Sequence, residues 1–155
     1  SSLTIEEEKL LFSRLTAPNF RIAAAISLYT GLRPNELSTA EIKGNFIVAL
    51  NSKRKNGKIE YKRIPIIDAL RPYISAGIPI LPSPQLIRRR ISAVLPNHKL
   101  YDLRTTFYTR CDEYGVAEPA RDEFVGHSAG VLTNTYRDLS DEYLLREGRK
   151  LNEWK

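Results

Sequence analysis

Apolar residues recur at helical spacing along most of the chain, beginning close to its first residue. Thr4 with Glu7 three residues later has the pattern of a capping box, which predicts a helix that runs to about Leu15. The next segment, residues 18–30, is apolar enough for a buried helix, and Gly31 is typical of the residue that ends one. The chain is therefore expected to start with two helices.

An alternating pattern interrupts the helical spacing in the middle of the chain. Residues 45–50 are predicted to form a strand, and residues 59–66 are predicted to return as its partner. Asn56-Gly57 between them is the strongest short hairpin signal. If this pair forms a two-residue turn, Val48 lies opposite Pro65 and Lys53 lies opposite Glu60. The sequence thus predicts one antiparallel hairpin.

Helical patterns occupy most of the remaining chain. Pro34 suits the first turn of a helix over residues 34–43. Further helices are predicted over residues 83–95, 100–114, 118–125 and 140–154, with another turn or two possible at 130–136. We expect a fold that is mainly α with a small antiparallel β-hairpin, an α+β arrangement. With 155 residues, a single domain over residues 1–155 is expected.

Composition excludes several classes of protein. With 42% hydrophobic and 27% charged residues, the chain is neither collagen-like, a long coiled coil nor wholly disordered. Apolar runs stay well short of the roughly 20 residues that cross a bilayer, so we expect no membrane partner and a cytoplasmic location. Cys111 is the single cysteine and there are two histidines, so neither an internal disulfide nor a Cys/His zinc site is expected.

Basic charge is concentrated in the middle of the chain. The formal net charge is +6, yet residues 51–110 contain 13 lysines and arginines against three acidic residues, whereas the rest contains 11 against 15. A focused basic surface suggests a polyanionic partner, of which nucleic acid is the commonest. A solvated basic face, or a protein partner, is the alternative interpretation.

Several side chains could together act on a phosphodiester. Arg33 lies at the corner between two predicted helices, Arg104 lies on another, and His127 and Tyr136 follow the helix that ends at Gly126. Guanidinium groups match phosphate oxygens in bidentate fashion, tyrosine can be a covalent nucleophile, and lysine can protonate a leaving oxygen. This set suffices for phosphoryl transfer without a metal or another cofactor.

Three segments resemble the motif boxes of the tyrosine recombinase, or phage integrase, family. They are TGLRPNEL at 30–37, LYDLRTTFYTRC at 100–111 and FVGHSAGVLTNTY at 124–136. Their order matches, as do the hairpin between the first two boxes and the nine-residue step from the histidine to the last tyrosine. The resemblance covers the whole chain as the family's catalytic domain, without the separate N-terminal domain that clamps DNA. It implies site-specific DNA strand exchange through a 3′-phosphotyrosyl bond, as in a phage or mobile element.

The resemblance also assigns roles to individual residues. It implies that two arginines, a histidine, a nucleophile and a lysine are catalytic: Arg33, Arg104, His127, Tyr136 and Lys53. The carboxylate of Glu36 would support the site without taking part in the chemistry. The hairpin lysine is ambiguous. Lys53 ends the stretch that resembles the family's first strand and is favoured, and Lys55, nearer the tip on the same face, is the second choice.

One position departs from the family pattern. The second box usually begins with histidine three residues before its arginine, and Tyr101 occupies that place here. Tyrosine can donate a hydrogen bond to a phosphate oxygen, but with a pKa near ~10 it is a poor general base at neutral pH. We therefore expect Tyr101 to contact the phosphate, with less assistance to deprotonation of the nucleophile.

Further residues are expected to bind DNA or a second subunit. Lys55 and Lys58 on the hairpin, with Arg88 and Arg89 on a helix, are predicted to touch the sugar–phosphate backbone. The resemblance implies that the partner is double-stranded DNA with a specific target site, and DNA binding would place the protein at the nucleoid. A homotetramer would bind the DNA, although the isolated domain could be a monomer. Residues 140–154 could dock on a neighbouring subunit or fold back on their own chain.

Two other functions fit the same residues. A type IB topoisomerase-like enzyme would use the same chemistry to relax DNA, and a DNA-binding module derived from a recombinase would lack catalysis. Tyr101, which stands where the family usually has histidine, keeps the second alternative open.

Overall fold

A computed structural model describes residues 1–52, 58–126 and 138–154. It is mostly helical with a small antiparallel sheet, which confirms the predicted fold class. Two short 3₁₀ helices cover Pro34–Thr39 and Lys150–Glu153. The other elements are α1 (Ile5–Arg14), α2 (Pro18–Thr30), β1 (Glu41–Lys43), β2 (Phe46–Leu50), β3 (Tyr61–Pro65), α3 (Arg71–Ile74), α4 (Pro84–Val94), α5 (Tyr101–Glu113), α6 (Glu118–Val125) and α7 (Asp141–Arg149).

Helix ends lie where the local signals predicted them. Thr4 and Glu7 form a complete capping box, with both reciprocal hydrogen bonds near 3 Å. α2 ends at Gly31, which has a φ of 73° and packs so closely that a Cβ there would lie 2.5 Å from the Phe107 ring. Ser140 caps α7 through its hydroxyl. These ends are set by residues adjacent in sequence, so sequence alone could locate them.

The helix predicted over residues 34–43 is wrong. A 3₁₀ helix ends at Thr39, and the chain turns into β1, which pairs with β2 through Glu41 and Val48. The Thr39 hydroxyl donates to the Glu36 carbonyl and accepts from the Leu50 amide on β2. Pairing with β2 therefore overrides the helical propensity of this segment, and the sheet has three strands.

The predicted register of β2 against β3 is wrong by two residues. Val48 lies opposite Arg63, and the Asn51 amide donates to the carbonyl of Glu60, the residue predicted to face Lys53. A shift of two leaves every side chain on the same face, so the apolar pattern could not distinguish the two registers. Asn56-Gly57, on which the predicted register depended, lies outside the described residues.

α2 forms the centre of the hydrophobic core. Its residues 23–30 are buried, and α3, α4 and α5 pack around it. The core face of the sheet contributes Ile47 and Ile64, while α6 and α7 pack against β3. This packing brings the ends of α2 and α6 to the same side of the molecule as the end of β2, where Gly31, Gly126 and Asn51 meet the Arg33 and Arg104 side chains.

The segment after α7 packs on its own chain. Trp154 is buried, its indole N–H donates to Glu8 Oε1 at 2.7 Å, and its ring meets the Tyr29 ring at a centroid distance of 4.9 Å. Arg110 on α5 lies over the same indole and binds the other Glu8 oxygen at 2.6 Å. Of the two placements left open by the sequence, the structure therefore has the one in cis.

The described residues contain neither a membrane-spanning helix nor a metal-binding cluster of side chains. None of the helices described is long and apolar enough to cross a bilayer. Within the same part of the chain, no cluster of three or more His, Cys, Asp or Glu side chains could hold a metal ion.

His98 joins the start of α1 to the start of α5. Its ring nitrogens lie 2.7 Å from Glu7 Oε2 and 2.9 Å from Asp102 Oδ2. Burial opposes protonation of His98, but these two carboxylates outweigh it and raise its pKa above 6.5. The charged imidazole is thus favoured by folding, and the stabilisation is complete below pH 6.5 and lost as the pH rises through the raised pKa.

We expect this stabilisation to appear in urea unfolding. The free-energy difference between the natural chain and His98→Gln should be largest near pH ~6 and smaller near pH ~9. A difference that is the same at both pH values would contradict the assignment.

Candidate active site

Arg33 is held at the corner between α2 and the first 3₁₀ helix. Its amide donates to Glu36 Oε1 at 2.9 Å, and its Nη1 lies 3.1 Å from Glu36 Oε2 and 3.3 Å from Asn51 Oδ1. The residue is buried, so the guanidinium group has one orientation fixed by partners from two elements. Its side chain is therefore held at the corner between Gly31 and Pro34.

Arg104 connects the C-terminal ends of two helices. Its Nη1 donates to the Gly31 carbonyl at 2.7 Å and its Nη2 donates to the Val125 carbonyl at 3.1 Å. The last carbonyls of a helix have no partner within the helix, so the guanidinium satisfies groups that would otherwise need solvent. Arg104 is therefore a buried link between α2, α5 and α6.

The two guanidinium groups lie close enough to repel each other. Burial and then the positive charge of Arg33 lower the pKa of Arg104, whereas a hydrogen bond with the Tyr101 side chain opposes the shift. Tyr101 lies one helical turn before Arg104 and is 51% exposed. The structure thus brings together Arg33, Arg104 and Tyr101, the residues predicted from the first two motif boxes.

Glu36 accepts hydrogen bonds from the amide and the guanidinium group of Arg33 and so supports this cluster. It is buried and accepts hydrogen bonds at 2.8 Å from both the amide and the hydroxyl of Ser52, in addition to those of Arg33. Burial alone would raise the pKa of Glu36, but the ammonium group of Lys62 and these hydrogen bonds lower it to about 2. Glu36 is therefore ionised at any physiological pH.

Lys62 and Asn51 are site residues that the sequence reasoning missed. Lys62 Nζ lies 2.6 Å from Glu36 Oε1 and 3.4 Å from the Val125 carbonyl, and its side chain is buried. Asn51 Nδ2 donates to the Gly126 carbonyl at 2.9 Å. A signal for Lys62 was present, because a lysine on the core face of a strand, two residues from Ile64, requires a buried partner.

Gly126 is required where these side chains converge. Its φ is 76°, and a Cβ there would lie 2.7 Å from Asn51 Oδ1 and 3.0 Å from Lys62 Cδ. A side chain would therefore be strained in the backbone and would also displace two site residues. The glycine seen as a helix end in the sequence thus also permits a close approach.

The charges of this described cluster do not balance. Arg33, Arg104 and Lys62 supply three positive charges and Glu36 supplies one negative charge, and all four residues are buried. Glu123 on α6, whose carboxylate also acts on Lys62, adds at most a second negative charge. Buried charges are normally paired, because removing an ion from water is costly. The arrangement therefore suits an anionic ligand that has several oxygen acceptors.

The other predicted residues divide into two groups. Lys53, Lys55, His127 and Tyr136 lie outside the described residues. Lys58, Arg88 and Arg89 are described and exposed, the two arginines on α4, where the structure leaves them able to meet a large partner. The residues preceding Lys53 and His127 are Ser52 and Gly126, and both are hydrogen-bonded within the cluster.

Comparison with solved structures identifies the fold. The integrase from mycobacterium phage Brujita matches with a TM-score of 0.74 and 13% identity, over 100% of this chain and 59% of that one. A lambda integrase dimer bound to a COC' core site matches at 0.64 and 17% identity, over 90% of this chain and 62% of that one. A lambda integrase tetramer bound to a Holliday junction matches with a TM-score of 0.64 and 16% identity, over 88% of this chain and 49% of that one.

These matches confirm the tyrosine recombinase catalytic-domain fold expected from the motif boxes. The chain spans less than two thirds of the length of each of these proteins. No family model and no curated protein matches the sequence.

Proposed function

We propose that the chain is the catalytic domain of an enzyme that cleaves and rejoins DNA strands at a specific site through a tyrosine–phosphate bond. The observation that carries the proposal is the pair of buried guanidinium groups, Arg33 and Arg104, in a cluster with excess positive charge. The similar structures are integrases, two of them bound to DNA substrates, which supports DNA as the ligand.

The arginines would stabilise the charge that develops on the phosphate. Attack on a phosphodiester places more negative charge on its non-bridging oxygens, and donors already fixed in a water-poor site stabilise that charge most. A guanidinium has five N–H donors, so the carbonyl bonds of Arg104 leave donors for a phosphate oxygen. Glu36, Asn51 and the helix-end carbonyls hold both groups before the substrate arrives.

The chemical step follows from the remaining predicted residues. The Tyr136 hydroxyl gives up its proton to water, its oxygen attacks phosphorus to form a 3′-phosphotyrosyl bond, and the bond from phosphorus to the 5′ oxygen breaks. Lys53 gives its proton to that departing oxygen, while His127 adds a third donor to the phosphate. Because the covalent bond conserves the energy of the phosphodiester, a 5′ hydroxyl of another strand can reverse the step without ATP.

DNA binding would extend beyond the cluster. Lys58, Arg88 and Arg89 are exposed and are proposed to contact phosphates flanking the cleavage site, together with Lys55. Binding should then weaken steeply as salt increases, since each neutralised phosphate releases counterions. Assembly as a tetramer on paired sites is part of the same proposal.

The test is formation of a denaturant-resistant protein–DNA adduct with a nicked duplex. We expect the natural chain and the matched control Tyr143→Phe to form it, and Tyr136→Phe to form none. Salt-sensitive DNA binding with no adduct would instead favour an inert DNA-binding module. Relaxation of supercoiled DNA by a monomer, without exchange between paired sites, would favour the topoisomerase-like alternative.

Tyr101 is proposed to hold the phosphate through its hydroxyl while orienting Arg104. A hydrogen bond to a charged group is worth about 1.5–3 kcal/mol, so Tyr101→Phe should slow adduct formation roughly 10- to 150-fold. Single-turnover rates at saturating DNA measure the effect. An unchanged rate would exclude this role for Tyr101.

A further inference from the structure

Lys62 is an unusual residue for the interior of a small sheet. It lies on the core face of β3, opposite Ala49 and two residues from Ile64, and its side chain is only 1% exposed. A buried lysine is normally destabilising unless its ammonium group is fully partnered. Its position therefore calls for an explanation beyond packing.

The Lys62 ammonium group binds two separate parts of the candidate active site. Glu36 Oε1, at 2.6 Å, belongs to the 3₁₀ helix that carries Arg33. The Val125 carbonyl, at 3.4 Å, belongs to the end of α6 and also accepts from Arg104. The Lys62 stem also lines the space against Gly126. One side chain thus ties together the segments that hold both guanidinium groups.

We propose that Lys62 is a positioning residue. Its ammonium group binds one carboxylate oxygen of Glu36 and the carbonyl oxygen of Val125, so that Arg33 and Arg104 face the same phosphate. The proposal rests on the proposed function, because the phosphate is the scissile phosphate of DNA. Lys62 itself would not touch the substrate, since its Nζ lies against Glu36 within the protein interior.

The charge balance explains why a cation is needed at this point. With Lys62 absent, the full negative charge of Glu36 would act on Arg33, its remaining charged partner at 3.1 Å. The Arg33 guanidinium would then be neutralised within the protein and would bind phosphate less strongly. Lys62 therefore keeps the cluster positively charged as well as fixed.

The charged groups that face Lys62 come from every neighbouring element. They are Glu36 and Arg33 beside the first 3₁₀ helix, Arg104 on α5 and Glu123 on α6. Burial is the main cause that lowers the pKa of Lys62, to about 8, with Glu36 opposing it and the two arginines adding to it. Loss of its proton just above neutral pH would weaken the same hold on Glu36.

The first experiment measures phosphate binding without any DNA cleavage. Inorganic phosphate is titrated into the full chain while the side-chain N–H signals of Arg33 and Arg104 are followed by ¹⁵N NMR, assigned with Arg33→Lys and Arg104→Lys. We expect both signals to shift together in the natural chain, in Lys62→Arg and in the exposed control Lys9→Met. In Lys62→Met the apparent affinity should fall at least about 10-fold, because Glu36 competes for Arg33.

A folding failure of Lys62→Met is covered by a second variant. Glu36→Gln combined with Lys62→Met removes both charges, so no unpaired buried carboxylate remains and the chain should fold. The two arginines keep the net charge of the natural cluster in this variant, so no carboxylate competes for Arg33. Arg33 should nevertheless lose its coupled response to phosphate, because the link from Lys62 through Glu36 to its guanidinium group is gone. An unchanged phosphate response in Lys62→Met or in the double variant would overturn the proposal.

The second experiment follows adduct formation as a function of pH. At neutral pH, Lys62→Met should slow the single-turnover rate on the order of 10²-fold, the effect of a misplaced group of about 1 Å. The ratio of the Lys62→Arg rate to the natural rate should rise above pH 8, because arginine keeps its charge there. If this ratio stayed constant with pH and Lys62→Met formed the adduct at the natural rate, Lys62 would have only a structural role and the proposal would be refuted.

The two experiments separate the two proposals. Absence of any adduct in the natural chain would refute the proposed function, and the phosphate titration would still decide on Lys62. If the natural chain forms the adduct but the phosphate titration is the same with and without Lys62, only the positioning role is refuted.

Discussion

Arg104→Lys is expected to slow formation of the covalent protein–DNA bond by a factor on the order of 10²–10³. Arg104 uses its planar fork to bind the Gly31 and Val125 carbonyls, 2.7 and 3.1 Å away, and its remaining N–H donors are proposed to bind the phosphate. An ammonium group has the same charge, but it is a compact point on a shorter stem and cannot span both helix ends and a phosphate. The loss should therefore arise from geometry rather than from charge.

The measurement is the single-turnover rate of adduct formation on a nicked duplex at saturating DNA. Arg146→Lys, on the exposed side of α7, is the matched control and should keep the natural rate. The free energy of unfolding of each variant is measured in parallel, since Arg104 also satisfies two buried carbonyls. A rate within about 3-fold of the natural one, in a folded protein, would contradict the role assigned to Arg104.

Sequence alone predicted the features that depend on neighbouring residues. α6 occupies residues 118–125 as expected, and α2 ends at Gly31 because that residue adopts a positive φ beside the Phe107 ring. The spacing of Arg33 from Gly31 then placed one guanidinium group correctly. Local stereochemistry fixes these points, so no knowledge of the tertiary contacts was needed.

Features that depend on distant partners were not predictable in the same way. Residues 41–43 become a strand only because β2 lies beside them, and the β2–β3 register is one of two that the alternating pattern permits. The roles of Lys62 and Asn51 arise from contacts with Val125 and Gly126, more than 60 residues away in sequence. Their residue types signal an unusual environment, but only the fold identifies the partners.

Both missed residues act on the same short turn. Val125 gives its carbonyl to Arg104 and Lys62, and Gly126 gives its carbonyl to Asn51. Val125 and Gly126 belong to the third motif box, so these bonds fix the position of the described part of that box. Apart from Lys53, the groups proposed for the chemistry lie in the motif boxes, whereas Asn51 and Lys62, between the boxes, set the relative positions of these groups. A motif comparison therefore finds the first set and passes over the second.

Trp154→Ala is expected to lower the free energy of unfolding by about 3–5 kcal/mol, the usual cost of truncating a buried large aromatic residue. The indole fills the space between Tyr29 and Phe107 and donates to Glu8, which itself binds Arg110. Its removal would leave a cavity and remove one partner of a buried carboxylate. Burial already raises the pKa of Glu8, against the opposing bonds from Trp154 and Arg110, so the loss should raise it further.

Urea unfolding measures this effect, with Trp154→Phe as the control that keeps most of the ring volume but loses the N–H donor. We expect Trp154→Phe to be the milder variant, with a loss of about 1–3 kcal/mol from the unpaired carboxylate oxygen. Because the indole packs on its own chain, the midpoint of the natural protein should not depend on protein concentration. An unfolding midpoint that rises with protein concentration would show that the segment after α7 is exchanged between copies of the chain. If Trp154→Ala lowered the free energy of unfolding by less than about 1 kcal/mol, the indole would not anchor α7 to α1, α2 and α5.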